Sequence, residues 1–277
     1  MKISQAILPV AGLGTRFLPW TKAVPKELLP LGNEPIIAHL VHECLDTGIT
    51  DICFVISKGK EAIPQYFQID PAFGQELKDR DKFHLLSDLL RYESVNFHTV
   101  YQDKQHGDGH AILQAADWAE EGTIAVLFGD DLFVGKHTAL QQMIAAHEHL
   151  PENERGAMVA LERISSEESV RYGIADVEAD HPSLPHLKIL RGLVEKPAPK
   201  DAPSDLGIVG RYLIPHSVMD ALPKVESGHG GEIRLIDALT HQLAHIPVYG
   251  YECEGTRIDT GHPEGYAKAV QVFASLA

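Results

Sequence analysis

A chain of 277 residues with 39 acidic against 24 basic side chains, a formal net charge of −15, has no basic stripe to displace the counterions of a nucleic acid. Nonspecific nucleic-acid binding is therefore excluded, and any phosphate ligand has to be met locally. Three cysteines (Cys44, Cys53, Cys253) form no Cys-x-x-Cys pair, no apolar run nears the roughly eighteen residues of a membrane span, and no leader-like segment precedes Lys2, so the expectation is one cytoplasmic domain, 1–277, with no membrane partner.

Residues 7–30, ILPVAGLGTRFLPWTKAVPKELLP, stand apart from the acidic background, because residues 1–26 hold four cations (Lys2, Arg16, Lys22, Lys26) and no carboxylate. A short apolar strand starting at Ile7 breaks at Ala11-Gly12-Leu13-Gly14 and then delivers Thr15, Arg16, Lys22 and Lys26. Bare backbone N–H groups and fixed cations replace the water around anionic oxygens, so the loop reads as a triphosphate cradle. Two better-known phosphate loops do not fit. The dinucleotide fingerprint needs a third glycine where Phe17 stands and a helix where Pro19 and Pro25 forbid one. The P-loop needs Gly-Lys followed by Ser or Thr, and this chain has Gly14-Thr15-Arg16.

Beyond the loop, 35–47 places Ile36, Ile37, Leu40, Val41, Cys44 and Leu45 on a helical stripe that Gly48 ends. A strand follows at 52–56. The segment 76–90 has helical spacing through Leu77, Leu85, Leu86 and Leu89, and 95–101 reads as a buried strand. After a polar glycine loop come a helix at 111–118, a strand at 124–128 ending at Gly129-Asp130-Asp131, and a helix at 138–149. Shorter strands are predicted at 157–161, 173–177, 187–195 and 207–214, with an ordered proline-rich loop at 196–205. A helix at 232–244, a strand at 248–252 and a helix at 263–276 close the chain. The alternation predicts an α/β fold, Rossmann-like, with a mainly parallel mixed sheet flanked by helices and ligands at the carboxyl ends of its strands. Asp130 and Asp131 stand at such an end, where carboxylate and phosphate oxygens suit Mg²⁺. The sixteen histidines offer no metal set by spacing: Gly107 and Gly109 break up His106 and His110, and His147 and His149 fall on different helix faces.

The run Gly12-Leu13-Gly14-Thr15-Arg16, Pro19, Thr21-Lys22-Ala23, Pro25-Lys26-Glu27 and Leu29-Pro30 resembles the signature of bacterial UTP:glucose-1-phosphate uridylyltransferases, or UDP-glucose pyrophosphorylases, within the sugar nucleotidyltransferase superfamily. Further matches continue almost to the end of the chain. The resemblance implies UTP and glucose 1-phosphate as substrates, UDP-glucose as product, Mg²⁺ as cofactor, and assembly as a homodimer or homotetramer. It implies a nucleotide-binding half at about 1–150 and a sugar-binding half at about 151–277. Arg16 and Lys26 then take the catalytic roles, on the triphosphate and on the reacting phosphates. Ala11, Gly12, Gly14, Thr15, Glu27, Gln102 and Gly107 are the implied nucleotide contacts, and Gly173, Glu195 and Lys196 the sugar-phosphate contacts. Asp130, with Asp259 of Arg257-Ile258-Asp259-Thr260-Gly261, is the implied metal pair.

The chain also departs from the family pattern. His106 and Asp108 stand in the loop Gln105-His106-Gly107-Asp108-Gly109-His110 where the family reads Leu-Gly-Leu-Gly-His-Ala, and Gly129 precedes Asp130. A glutamine amide pairs with the shared edge of uracil and thymine alike, so a thymidylyltransferase using dTTP stays open as an alternative. So does a catalytically weak regulatory paralogue.

Overall fold

The computed structural model describes residues 2–225 and 231–276. Strand β1 (Gln5–Pro9) leads into the loop, in which Thr15–Phe17, Trp20–Lys22 and Lys26–Leu28 form short 3₁₀ turns. A small hairpin, β2 (Pro30–Leu31) and β3 (Glu34–Pro35), then enters helix α1 (Ile36–Leu45). There follow β4 (Asp51–Ile56), α2 (Ala62–Tyr66), α3 (Pro71–Asp79), β5 (Asn96–Tyr101), α4 (Asp108–Leu113), β6 (Thr123–Leu127), β7 (Asp131–Val134) and α5 (Ala139–His149). The remainder supplies β8 (Ala157–Arg163), β9 (Gly173–Asp180), β10 (Leu187–Glu195), β11 (Leu206–Pro215), α6 (His216–Ala221), α7 (Leu235–Gln242), β12 (Val248–Glu252), β13 (Thr256–Asp259) and α8 (Pro263–Leu276).

Nine strands make one sheet in the order β5-β4-β1-β6-β11-β8-β12-β10-β9. From β5 to β6 all pairings are parallel. β11 joins antiparallel to both β6 and β8, β12 runs parallel to β8, and β10 is antiparallel to β12 and β9. The sheet is thus parallel through the first half of the chain and mixed through the second, with β11 as the seam. Strand residues alternate between two apolar clusters: Leu8, Phe54 and Leu127 join one, while Ile7, Val55 and Val126 join the other. Helices α1 and α5 cover the first face, and α4, α6 and α7 the second. Burial on both faces explains why these strands read as continuous apolar runs. No helix among the described residues is long and apolar enough to cross a membrane.

Four expectations change. The single helix at 76–90 is two elements, because α3 stops at Asp79 and Phe83–Tyr92 is 3₁₀. Asp81 takes the left-handed conformation (φ 57), and the Lys82 and Asp81 N–H groups donate to the carbonyls of Leu77 and Lys78. This is a Schellman cap made without glycine, so no glycine in the sequence announced it. The strand expected as buried at 95–101 is β5, at the edge of the sheet with much of its surface exposed. The helix expected at 111–118 starts inside the glycine loop, at Asp108. The helix expected at 232–244 starts only at Leu235, since Ile233 is held extended by pairing with the same loop: its N–H donates to the His106 carbonyl at 2.8 Å and its carbonyl accepts the His110 N–H at 3.3 Å.

Candidate active site

Gly14 adopts a left-handed conformation (φ 65), which costs glycine little, and its carbonyl accepts the Thr21 hydroxyl at 2.8 Å. That turn folds the loop over the carboxyl end of β1. Among the described residues, Gly12, Leu13, Gly14 and Thr15 donate no backbone N–H to a backbone carbonyl, which leaves consecutive donors for an anion. Arg16 is exposed, with Nη1 3.4 Å from the Gly261 carbonyl. Lys26 crosses to the end of β6, where Nζ lies 2.7 Å from Asp130 Oδ2. Burial works against its charge, yet Asp130 and then Glu27 raise Lys26 above the ordinary lysine value. Burial likewise works against the Asp130 carboxylate, and Lys26 holds it below the usual range. Both partners are therefore charged at neutral pH.

The second carboxylate arrives on β13, which pairs antiparallel with β7 and sets Asp259 opposite Asp131. Thr260 fastens the turn by donating its N–H (2.7 Å) and its hydroxyl (2.9 Å) to the Asp130 carbonyl. A Cβ built on Gly261 would lie 2.8 Å from both Asp130 Oδ2 and Asp259 Oδ1, so the two carboxylates converge on one point. An all-oxygen donor pair that leaves room for phosphate and water fits a hard cation such as Mg²⁺. Asp259 is itself held, its Oδ1 accepting the Gly261 N–H at 2.8 Å and its Oδ2 lying 3.3 Å from Arg171 Nη2. Asp131 also has both oxygens committed. Oδ1 accepts from Arg257 Nε at 2.6 Å and Oδ2 from the Gly210 N–H at 2.8 Å. Burial pushes its carboxyl up to about 6 against the pull of Arg257.

Two cavities meet at Asp108, Phe128 and Asp130. The smaller, about 270 Å³, is lined by Ala11, Gly12, Lys26, Glu27, Gln102 and Gly107. The larger, about 610 Å³, is lined by Arg16, Gly173, Glu195, Lys196 and Asp259. Gly14 and Thr15 shape the loop without lining either. Gly107 (φ 97) lies so close to Ile233 that any Cβ would strike its carbonyl. The buried Gln102 donates Nε2 to the Gly107 carbonyl at 3.0 Å and places it 3.0 Å from His110 Nδ1. Asp108 Oδ1 accepts the N–H groups of Gly109 (2.6 Å) and Leu235 (2.9 Å), so this departure from the family loop ties the loop to the start of α7. At the larger cavity, Gly173 and Glu195 are register partners of β9 and β10, and Lys196, at φ 45, turns its Nζ to within 2.8 Å of Glu195 Oε1.

The family model for nucleotidyl transferases matches residues 5–275. The chain belongs to that family. Among the nucleotidyl transferases, the UTP–glucose-1-phosphate uridylyltransferase 1 of Staphylococcus saprophyticus is 39% identical over 276 residues, covering 99% of this chain and 93% of that protein. A UDP-glucose pyrophosphorylase solved with UDP-glucose superposes with a TM-score of 0.85 at 30% identity, covering 99% of this chain and all of the other. A UTP-bound enzyme of the same kind from Acinetobacter baumannii gives 0.89 at 33% identity, covering 99% and 94%.

Several residues that shape this transferase site escaped the sequence reading. Lys60, from the turn after β4, is buried with Nζ 2.8 and 3.0 Å from the two oxygens of Glu27 and 2.7 Å from the Val10 carbonyl. Glu27 therefore lines the cavity with its carboxylate already committed. Arg211 is fully buried, with Nη2 and Nε 2.7 and 3.0 Å from Glu43 Oε2 and Nη2 2.7 Å from the Asp131 carbonyl. A signal for that pair was present: an arginine inside the apolar run 206–215 and a glutamate on the apolar face of α1 each demand a buried partner. Arg257 Nη1 adds Glu162 at 3.0 Å and Tyr172 at 3.3 Å to its bond with Asp131.

Proposed function

We propose that this chain transfers a uridylyl group: an oxygen of glucose 1-phosphate attacks the α-phosphorus of UTP in line, the bond from that phosphorus to the β-phosphate breaks, and UDP-glucose and pyrophosphate result. The observation that carries the reading is the contact of Lys26 with Asp130 at the lip where the two cavities meet, since it brings the loop cation to the strand-end carboxylate between the cavity of Gln102 and Gly107 and the cavity of Gly173 and Glu195. No general base is required, because a phosphate monoester with a second pKa of roughly 6 is already mostly dianionic at neutral pH. The obstacle is repulsion between anions, and it is met by placement and charge.

In this scheme the N–H groups from Gly12 to Thr15 and the Arg16 guanidinium receive the triphosphate. Lys26, kept cationic, meets the reacting phosphates. Gln102 spends its amide hydrogens on Gly107 and His110, so its carbonyl oxygen is the atom left to accept the N3–H of uracil. Glu195 accepts sugar hydroxyls beside Gly173, and Lys196 holds the sugar phosphate. Asp130 and Asp259 would hold Mg²⁺, which when bound neutralises phosphate charge. Residues 1–277 act as one catalytic unit of two halves. A cytoplasmic setting accords with three unpaired cysteines. Assembly as a homodimer or homotetramer, the habit of relatives, is read by light scattering.

The test measures pyrophosphate release from UTP, dTTP, CTP, ATP and GTP, each with glucose 1-phosphate and Mg²⁺. UTP is expected to be fastest. A faster reaction with dTTP overturns the uridylyl assignment, and silence with every nucleotide favours a regulatory paralogue.

A further inference from the structure

Among the described residues, one cluster of metal-ligating side chains lies outside the two cavities. Glu34 ends the small hairpin, and His39 and His42, three residues apart on α1, present to the same side of that helix. One ligand atom from each of the three lies within 4.8 Å of the other two, and all three residues are half-buried. None of them lines the two cavities of the active site.

The hydrogen bonding of the two imidazoles is what distinguishes the cluster from a chance meeting of polar side chains. His39 Nε2 is buried and has no hydrogen-bond partner among the described residues. A buried imidazole nitrogen without a hydrogen-bond partner can offer its lone pair to a cation. His42 has its Nε2 2.6 Å from the Tyr92 hydroxyl and 2.9 Å from Arg91 Nη1, which leaves Nδ1 on the side of Glu34, 3.6 Å from Oε2. Arg91 Nη1 also lies 3.7 Å from Glu34 Oε1, so positive charge already stands beside the cluster. This arginine is half-exposed and yields by rotating into solvent.

We propose that Glu34, His39 and His42 form a site for a divalent transition cation of the Zn²⁺ class, separate from the carboxylate pair of the active site. Two imidazole nitrogens and one carboxylate select such an ion over Mg²⁺, which prefers oxygen alone. Bonds of about 2.0–2.2 Å require the donors to draw together from their present spacing, within reach of side-chain rotation on a short hairpin. His42 binds through Nδ1 once its ring proton moves to Nε2, whose N–H then donates to the Tyr92 oxygen as Arg91 swings away. The ion clamps the hairpin to α1. The Ile36 N–H at the start of that helix donates to the Leu29 carbonyl at 3.0 Å, so the clamp stiffens the frame just behind the turn that carries Lys26. The inference does not depend on which nucleotide the active site takes.

The experiment titrates ZnCl₂ into the full-length chain by calorimetry in saturating Mg²⁺, beside Glu34→Gln, His42→Gln and Asp130→Asn variants. One equivalent is expected to bind to the wild type and to Asp130→Asn. Affinity is expected to fall by about 100-fold or more in the other two, since loss of a ligand exceeds the 10–100-fold cost of losing its supporting partner. Glu34→Gln keeps shape and hydrogen bonding, so it reports even if His42→Gln folds poorly. Co²⁺ in place of Zn²⁺ is expected to give the visible absorption of a four-coordinate site in the wild type and none in Glu34→Gln. Absence of binding by the wild type, or unchanged affinity in both ligand variants, overturns the proposal.

Discussion

The parallel half of the sheet and the mixed half load the site in opposite ways. The first delivers its cations locally: Arg16 and Lys26 ride on short 3₁₀ turns directly after β1, and their neighbours in sequence are their neighbours in space. The second assembles its groups from several separate elements, Glu195 from β10, Arg211 from β11, Arg257 and Asp259 from β13, placed by pairing with β9, β6 and β7 respectively. Two ion pairs near the site also hold charge differently. The Lys26 and Asp130 side chains keep 16% and 31% of their exposure, so each can exchange the other for a ligand. Arg211 has none and Glu43 has 5%, so that pair is a fixed strut behind Asp131. A pair meant to be traded for substrate stays at a cavity lip, whereas one meant to hold a backbone carbonyl is sealed.

The sealed pair gives the largest expected effect. Glu43→Ala strands a buried guanidinium and is expected to cost about 3–5 kcal/mol in urea unfolding, while the double change Glu43→Leu with Arg211→Met recovers most of it. A single variant as stable as the wild type would mean that Arg211 finds its compensation elsewhere. The traded pair behaves differently: Lys26→Ala is expected to lower kcat on the order of 10²- to 10³-fold, the scale of one lost transition-state donor, with a far smaller change in the urea midpoint. Turnover at the wild-type level would remove Lys26 from the mechanism.

A smaller effect belongs to the helix layer behind the parallel half. His147 on α5 is buried, with Nε2 unpartnered among the described residues, and burial followed by Arg155 lowers its pKa to about 4 from 6.5. Between those values the unfolded chain binds the additional proton, so the stabilising contribution is complete above pH 6.5 and is lost as pH falls through 4. The loss is about 3 kcal/mol, and His147→Gln is expected to flatten the stability–pH curve across that window. An identical curve for the variant would place the acid sensitivity in another group. The smallest effect probes the mixed half: Glu195→Gln is expected to raise KM for glucose 1-phosphate about tenfold and leave KM for UTP alone, the cost of weakening a charged hydrogen bond. Equal rises in both KM values would instead make Glu195 a structural residue of the β9–β10 pair.

Legibility followed the range of the interaction. The stripe on α1, the span of α5 and the apolar runs of β4 and β6 were all readable, because each is a short-range pattern in adjacent residues. The Asp81 cap, the edge position of β5 and the extended Glu232-Ile233-Arg234 run were not. The cap lacks its usual glycine, an edge strand carries the same alternation as an inner one, and Ile233 answers to the glycine loop rather than to its own neighbours. Among the site residues, the glycines and cations of the loop were legible as phosphate chemistry. The duties of the carboxylates were not.

Sequence alone determined that an acidic chain concentrates bare backbone and positive charge in its first thirty residues and lays strands whose side chains alternate between two apolar faces, since both properties reside in adjacent residues. Only the tertiary structure decided that Asp130 takes Lys26 while Asp131 is consumed by Gly210 and Arg257, and that Glu27 answers to Lys60. Those contacts join residues 104, 79, 126 and 33 positions apart. A carboxylate has the same chemistry wherever it stands in a sequence, and what it does is set by whichever cation or N–H the fold brings within about 3 Å of it.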